Sequence, residues 1–313
     1  MLEIKENELL KNQTTFQIGG PAKYFVVVKD TDEIKEAIAW AQGKPVDYKV
    51  IGGGSNLLAA DSGFDGLVIK CFGGDLTIKN EIIEAGAGVP LVKAMNEALA
   101  AGLIGLEWAI GIPGTVGGAI CNNAGAYGGE MSQNVASVKI LINNEIKELG
   151  VADCDFGYRE SAFKRGEIKG IIFLAKLQLK KASAGEIEAV REKMKINLAD
   201  RLSKSAEGGS VGSTFRNIIL NEAEISEFKE KFPELPDRFV EYRKIPAAWL
   251  IEECGLKGKK IGGAMVSEKH AGKITNVGGA TAEEVVMLIS IIKQKVRSKF
   301  NLQLMEEVEY LGF

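Results

Sequence analysis

From Gly105 to Gly128 the chain reads GLEWAIGIPGTVGGAICNNAGAYG. Glycines recur through the stretch, but Leu106, Trp108, Ile110, Ile112, Val116 and Ile120 are interleaved with them, which is not the composition of a flexible linker. Glycine stands where the backbone takes a positive φ or where a ligand lies against bare peptide. Successive N–H groups presented in that way form concave nests for phosphate oxygens. A second element, Ile51-Gly52-Gly53-Gly54-Ser55-Asn56-Leu57-Leu58, follows the apolar Val50-Ile51 as a phosphate turn follows a strand. Two such elements point to one extended ligand carrying two phosphates. A pair of ordinary tight loops is the alternative that composition alone leaves open.

Neither element is the usual dinucleotide fingerprint, which needs G-x-G-x-x-G at a strand-to-helix turn and an acidic residue about twenty positions on. The nearest imitation, Gly86-Ala87-Gly88-Val89-Pro90-Leu91, lacks the third glycine. It reads as a strand end followed by a helix that starts at Pro90. A pyrophosphate site in this chain must be built differently.

At 313 residues the chain suits two or three domains. Its 46% hydrophobic and 26% charged residues are those of a soluble globular protein. A net charge of −3 without a basic stripe argues against nucleic acid as the main partner. No apolar run is long enough to span a membrane, and the first residues, MLEIKENELLKNQ, lack the apolar core of a signal peptide. Cys71, Cys121, Cys154 and Cys254 show no metal-binding spacing and are expected as reduced thiols in the cytoplasm. His270 is the only histidine. No multi-histidine metal site is possible, and no metal is expected. The chemistry must run on other side chains.

The order of elements is that of an α+β chain. Strands are expected at Tyr24–Val28, Tyr48–Ile51, Gly66–Lys70, Ile82–Ala85, Ala136–Ile142 and Gly170–Leu179. Helices are expected at about Asp32–Gln42, capped by Asp30 or Thr31, and at Leu91–Ala101, stopped by Gly102. Past Lys181 the character changes to a charged helix, Ala184 to about Ser203, and a turn, Glu207–Ser213, so a domain boundary is expected near 181–188. A last helix runs from Thr281 to Phe300 with Thr281 and Glu284 at capping-box spacing and Val285, Leu288, Ile289, Ile292, Val296 and Phe300 as its buried stripe. A strand, Leu302–Leu311, closes the chain.

These motifs, taken in order, resemble a known family. Thr15-Phe16-x-Ile18-Gly19-Gly20-Pro21-Ala22, GGGSNLL, GIPGTVGGA and N-x-GAYG are similar to the FAD-binding half of UDP-N-acetylenolpyruvoylglucosamine reductases (MurB). Tyr158-Arg159-x-Ser161-x-Phe163-Lys164, Gly212-Ser213-x-Phe215, GLKGxxIGGA and VSEKHA match further on. The resemblance implies a two-subdomain FAD-binding fold of the p-cresol methylhydroxylase and vanillyl-alcohol oxidase type, 1–71 and 72–182, with an α+β substrate-binding domain at 188–313 whose final strand returns to the first region. It implies NADPH-dependent reduction of UDP-N-acetyl-3-O-(1-carboxyvinyl)-glucosamine to UDP-N-acetylmuramate for peptidoglycan synthesis, by a cytoplasmic monomer holding FAD noncovalently. Two other readings are an alcohol or hydroxy-acid oxidase or dehydrogenase of the same fold, and a non-catalytic nucleotide-binding protein.

The resemblance also assigns residues. FAD would lie on Gly52, Gly53, Gly54, Ser55 and Asn56, on Gly111, Ile112, Pro113, Gly114, Gly117, Gly118 and Ala119, and on Gly125 and Tyr127. Arg159 would hold the substrate carboxylate, Ser213 would donate the proton and Glu307 would assist, with Tyr158, Arg201 and Asn217 as further substrate contacts. Arginine suits bidentate carboxylate binding, and a serine hydroxyl acts as an acid only where neighbours stabilise its conjugate base. On an extended strand Glu306 and Glu307 point to opposite faces, and Glu306 shares its face with Leu302, Leu304, Val308 and Tyr310, which favours Glu307. His270 is expected to be structural or to support other groups by hydrogen bonding. The chain departs from the family pattern at Ile218, where proline is usual, and at Glu309, where arginine is common. A longer charged insert lies between Asn217 and Pro246 and is expected as solvated helices that could also border the substrate cleft. The short passage from Leu179 to Ala184 leaves no room for a tyrosine-bearing loop, as in the shorter subtype of the family.

Overall fold

The computed structural model describes residues 2–205 and 208–313, so Glu207 of the expected turn lies outside the described residues. Two compact units emerge. The first comprises Met1–Leu9, Pro21–Ser55 and Phe64–Ser203, and the second Leu10–Gly20, Asn56–Gly63 and Lys204–Phe313.

In the first unit, Pro21–Val28 runs parallel to Phe64–Cys71, which runs parallel to Tyr48–Ile51, and Lys5–Leu9 lies antiparallel along the outer side of Pro21–Val28. Parallel strands need a crossover, supplied by the helix Thr31–Gly43. Asp30 caps it by accepting from the Glu33 amide at 2.9 Å, and Ile34, Ala37, Ile38 and Ala41, at helical spacing, bury one face. They meet Val26, Val28, Leu67 and Ile69 from the sheet. A second, antiparallel sheet has the order Glu145–Gly150, Val135–Ile142, Ile171–Gln178, Ile82–Gly86, Leu76–Lys79. Ile83, Ala85, Val138, Ile140, Ala175 and Leu177 alternate onto its inner face. The helices Leu91–Ala100 and Val116–Cys121 pack there through Leu91, Ala94, Met95, Val116 and Ile120.

The helix Ala184–Ser203 belongs to this first unit, and the division falls after Ser203 rather than at 181–188. Met194 is its one buried side chain and joins the core that contains Trp108. The polar character past Lys181 therefore marks a solvent-facing helix, not the end of a domain. The segments Leu10–Gly20 and Asn56–Gly63, expected within 1–71, group instead with the second unit.

In the second unit, Gly209–Ser210, Ile274–Asn276, Ala264–Val266 and Lys260–Ile261 form a small antiparallel sheet. The long helix Ala282–Phe300 packs against it with the expected stripe buried, and the Thr281–Glu284 capping box is present. Asn301, at φ +55°, ends the helix in the left-handed region. Of the expected closing strand, Glu309–Leu311 pairs regularly, parallel to Leu57–Ala59, and Glu306 makes an isolated bridge with Phe215. The rest of Leu302–Leu311 crosses the core without a continuous partner.

The insert between Asn217 and Pro246 is not merely solvated. It folds as Glu222–Lys231, with an Asn221–Glu224 capping box, and Asp237–Glu241. Ile225, Phe228, Leu235 and Phe239 from it are buried in the second unit's core. Phe232 packs between Phe228 at 4.6 Å and Phe300 at 4.9 Å, ring centre to ring centre. Ile218 opens a strand pair, Ile218–Ile219 with Lys244–Ile245, which returns the insert to Pro246. Deleting a buried phenylalanine ring costs about 3–5 kcal/mol. Phe228→Ala should accordingly lower the urea midpoint of unfolding substantially, whereas Glu227→Gln, which removes an exposed ion pair to Lys231, should leave it unchanged.

Candidate active site

The two glycine elements meet inside the first unit. A side-chain carbon at Gly53 would lie 2.9 Å from the Gly114 Cα, one at Gly52 would lie 2.6 Å from the Thr115 hydroxyl oxygen, and one at Gly117 would lie 2.7 Å from the Ala87 Cβ. What forbids side chains at 52, 53 and 117 is therefore the protein itself. Beside positive φ and ligand approach, the two reasons the sequence offers for glycine, the packing adds a third: these residues let one loop press on another. Ser55 ties the contact by donating from its hydroxyl to the Pro113 carbonyl at 3.2 Å. Thr115, almost fully buried, caps the helix Val116–Cys121 by accepting from the Gly118 amide. Among the described residues, the amides of Gly53, Gly54 and Gly114 donate to no group of the protein, and Gly54 is buried. Buried backbone donors are nearly always paired, so this cradle suits a ligand that brings acceptor oxygens.

Several expected cofactor contacts have duties within the protein. The Tyr127 hydroxyl reaches the Asn197 carbonyl at 2.8 Å on the helix Ala184–Ser203. The Arg201 guanidinium of the same helix lies 5.6 Å from the Tyr127 ring centre, and its Cδ would stand 2.7 Å from a side-chain carbon at Gly111. Arg201, read from sequence as a substrate contact, thus sits on the GIPG loop. Asn56 donates from its side chain to the Glu307 carbonyl at 2.9 Å in the second unit.

Arg159 belongs to the first unit and Ser213 and Glu307 to the second. Arg159 adopts φ +57°, the left-handed region. Its guanidinium donates to the carbonyl of Asn123 at 3.3 Å and to that of Gly125, and lies 5.4 Å from the Tyr158 ring centre. Two further bonds dock its loop on the end of the helix Val116–Cys121. Ser161 donates to the Cys121 carbonyl at 2.6 Å, and Lys164 to the Asn122 side chain at 2.7 Å.

Ser213 and Glu307 lie on adjoining backbone. The Glu307 amide donates to the Thr214 carbonyl at 2.8 Å, and Phe215 bridges Glu306. Thr214 is locked in turn, its amide on the Gly272 carbonyl at 2.8 Å and its hydroxyl oxygen accepting from Ile274 at 3.2 Å. Glu306 is committed elsewhere, to Lys293 at 2.6 Å and to the Tyr310 hydroxyl. Asn217 accepts from the Ala247 amide at 3.1 Å, capping the helix Ala247–Glu253. Sequence reasoning passed over Asn123 and Thr115. Both fall in the glycine-rich stretch, and the N-x-GAYG pattern contains the first, but only burial and hydrogen bonding reveal what they do.

Two of the thiols are poor nucleophiles here. Burial pushes Cys71 up to about 12 and Cys154 up to about 11, so neither is a thiolate at neutral pH. Burial also pushes the His270 imidazolium down, helped by the charges of Lys273, Lys204 and Lys257.

Residues 22–146 match the family model described as FAD binding domain, and residues 203–311 match UDP-N-acetylenolpyruvoylglucosamine reductase, C-terminal domain. Together they define the class: an oxidoreductase that binds FAD through its N-terminal half. The reductase of Solibacter usitatus is 36% identical over 99% of this chain and 97% of its own length. That of Anoxybacillus flavithermus is 39% identical over 99% and 94%. The crystal structure of MurB from Thermus caldophilus superposes with a TM-score of 0.77 at 30% identity, covering 99% of this chain and all of that one. The chain belongs to the UDP-N-acetylenolpyruvoylglucosamine reductase family. No helix among the described residues is long and apolar enough to cross a membrane.

Gly53→Val and Gly117→Val should lower the melting temperature of flavin-free protein, because they pry the loops apart. Gly118→Ala should not, since its added carbon would meet only the Thr115 hydroxyl oxygen at 3.5 Å. Equal melting temperatures in all three would show that the loops do not depend on this contact.

A single histidine makes its titration directly readable by proton NMR. The His270 midpoint should fall below the ordinary 6.5. With the folded value depressed, the stability gained by keeping the ring neutral is complete above pH 6.5 and declines as pH drops toward the folded midpoint.

Proposed function

We propose that this chain reduces UDP-N-acetyl-3-O-(1-carboxyvinyl)-glucosamine to UDP-N-acetylmuramate at the expense of NADPH, as a cytoplasmic, monomeric enzyme with no nucleic-acid partner and with noncovalent FAD. The reaction adds a hydride equivalent to the terminal carbon of the enol ether and a proton to the adjacent carbon, while NADPH becomes NADP⁺. FAD, when bound, supplies two-electron transfer that no side chain can perform. The amides of Gly53, Gly54 and Gly114 would hold its pyrophosphate.

The remaining demands fall on side chains of this chain. Negative charge developing toward the substrate carboxylate calls for a fixed cation, and Arg159 offers a planar fork already oriented by two carbonyls. The adjacent carbon needs a proton donor, for which Ser213 is proposed, with Glu307 assisting. The observation that carries this assignment is the joined backbone of Ser213–Thr214 and Glu307, combined with the commitment of Glu306 to Lys293 and Tyr310.

Stopped-flow measurement separates the two half-reactions. Ser213→Ala should leave reduction by NADPH nearly intact and slow the reaction with the enolpyruvyl substrate by about 10²–10⁴-fold, the usual contribution of a general acid. Ser213→Cys should retain more activity, because a thiol still donates. Arg159→Lys should slow the same half, because a point charge replaces the fork. Equal slowing of both halves in Ser213→Ala would remove Ser213 from the donor role.

A further inference from the structure

We propose that Asn123 is the positioning residue for Arg159, setting both the turn that carries it and the direction of its guanidinium. The inference rests on the role of Arg159 proposed above. Asn123 is fully buried and, at φ +40°, itself left-handed. In that conformation its side chain and its carbonyl both serve the arginine turn. The side-chain amide donates to the Gly157 carbonyl at 2.8 Å, and its oxygen accepts from the Ser132 amide at 3.0 Å. The main-chain carbonyl receives Arg159 Nη1 at 3.3 Å.

Gly157 is the anchor of a tight turn. Its amide donates to the Glu160 carbonyl at 3.0 Å, and the Glu160 amide donates back at 3.1 Å, so Tyr158 and Arg159 form the tip. A non-glycine residue held at φ +57° is uncommon and persists only where the surroundings over-determine it. Asn123 fixes this turn at its root through Gly157 and at its head through the guanidinium. Two of the five guanidinium donors are thereby aimed at the Asn123–Gly125 carbonyls, which fixes the plane in which the fork lies. Bidentate carboxylate binding is planar, and an error of about 1 Å in placing such a group costs on the order of 10²-fold in rate.

Ser161 provides the contrast. It docks the same loop through an equally buried hydrogen bond, to the Cys121 carbonyl, and makes no hydrogen bond to Arg159. A residue that merely holds the loop should behave like Ser161.

The test is a double-mutant cycle on flavin-loaded enzyme, with substrate affinity read separately by calorimetry. Asn123→Gly tolerates the left-handed conformation and deletes both side-chain bonds. It should lower kcat/KM for the enolpyruvyl substrate by about 10–100-fold and weaken substrate binding, with reduction by NADPH unchanged. In an Arg159→Ala background the same substitution should cost less than about threefold, because residues that act through one another are not additive. Ser161→Ala should lower the melting temperature and give the same fold-change in both backgrounds. If Asn123→Gly does not retain flavin, Asn123→Asp keeps the acceptor for Ser132 but loses the donor to Gly157, and should show the same non-additivity. Additive losses, or an unchanged kcat/KM in the Asn123 variant, overturn the proposal. An Arg159→Ala enzyme as active as the parent would instead overturn the role of Arg159 itself.

Discussion

The close approach of Gly53 to Gly114 is the contact on which the first unit's chemistry rests. At that spacing no side-chain carbon fits on Gly53, so the loop after one sheet can press directly on the loop that crosses the other. Ser55 and Thr115 finish the junction with hydroxyl groups rather than bulk. The result is a rigid surface of backbone N–H groups on which phosphate oxygens can be bound without any counter-charged side chain. A positively charged site would bind anions too, but it would give the isolated amides nothing to do.

The short helix that follows Thr115 connects this surface to the arginine loop. Val116, Ala119 and Ile120 anchor a short helix in the core, and the chain leaving it presents the Cys121, Asn123 and Gly125 carbonyls to Ser161 and Arg159. Carbonyls at a helix end have no partner within the helix, and here they are spent on cationic and hydroxyl donors from another loop. The glycine junction and the arginine turn therefore share one support. In the second unit the corresponding economy is at Thr214, whose amide, carbonyl and hydroxyl oxygen are all engaged, so that the backbone beside Ser213 and Glu307 is fixed.

Regular elements with a clear period were legible in the chain. The helix Ala282–Phe300 with its capping box and stripe, the strand Tyr48–Ile51 and the helix capped by Asp30 all follow from spacing and cap chemistry, because those rules act within a few residues. The glycine-rich elements, the absence of histidine clusters and the ordered motifs likewise stand in the sequence and carry the family. Burial was less legible. The insert at 218–245 reads as solvated helices because charged residues are spread along its whole length, yet Ile225, Phe228, Leu235 and Phe239 suffice to seat it in a core. The helix Ala184–Ser203 misled in the opposite sense, its polarity reflecting exposure within a unit rather than a boundary.

What the sequence determined by itself was local conformation and chemical inventory: which segments are helical or extended, where glycine is required, and that an arginine, a serine and a glutamate stand in family motifs. What only tertiary structure decided was which groups are already spent. Glu306 is taken by Lys293 and Tyr310, the Tyr127 hydroxyl by Asn197, and Asn123 by the turn that carries Arg159. Apart from Tyr310, each partner lies between 13 and 70 residues away along the chain. Hydrogen bonds and sub-3 Å contacts over such separations depend on how sheets and helices pack, and packing is a property of the whole fold that no window of sequence contains.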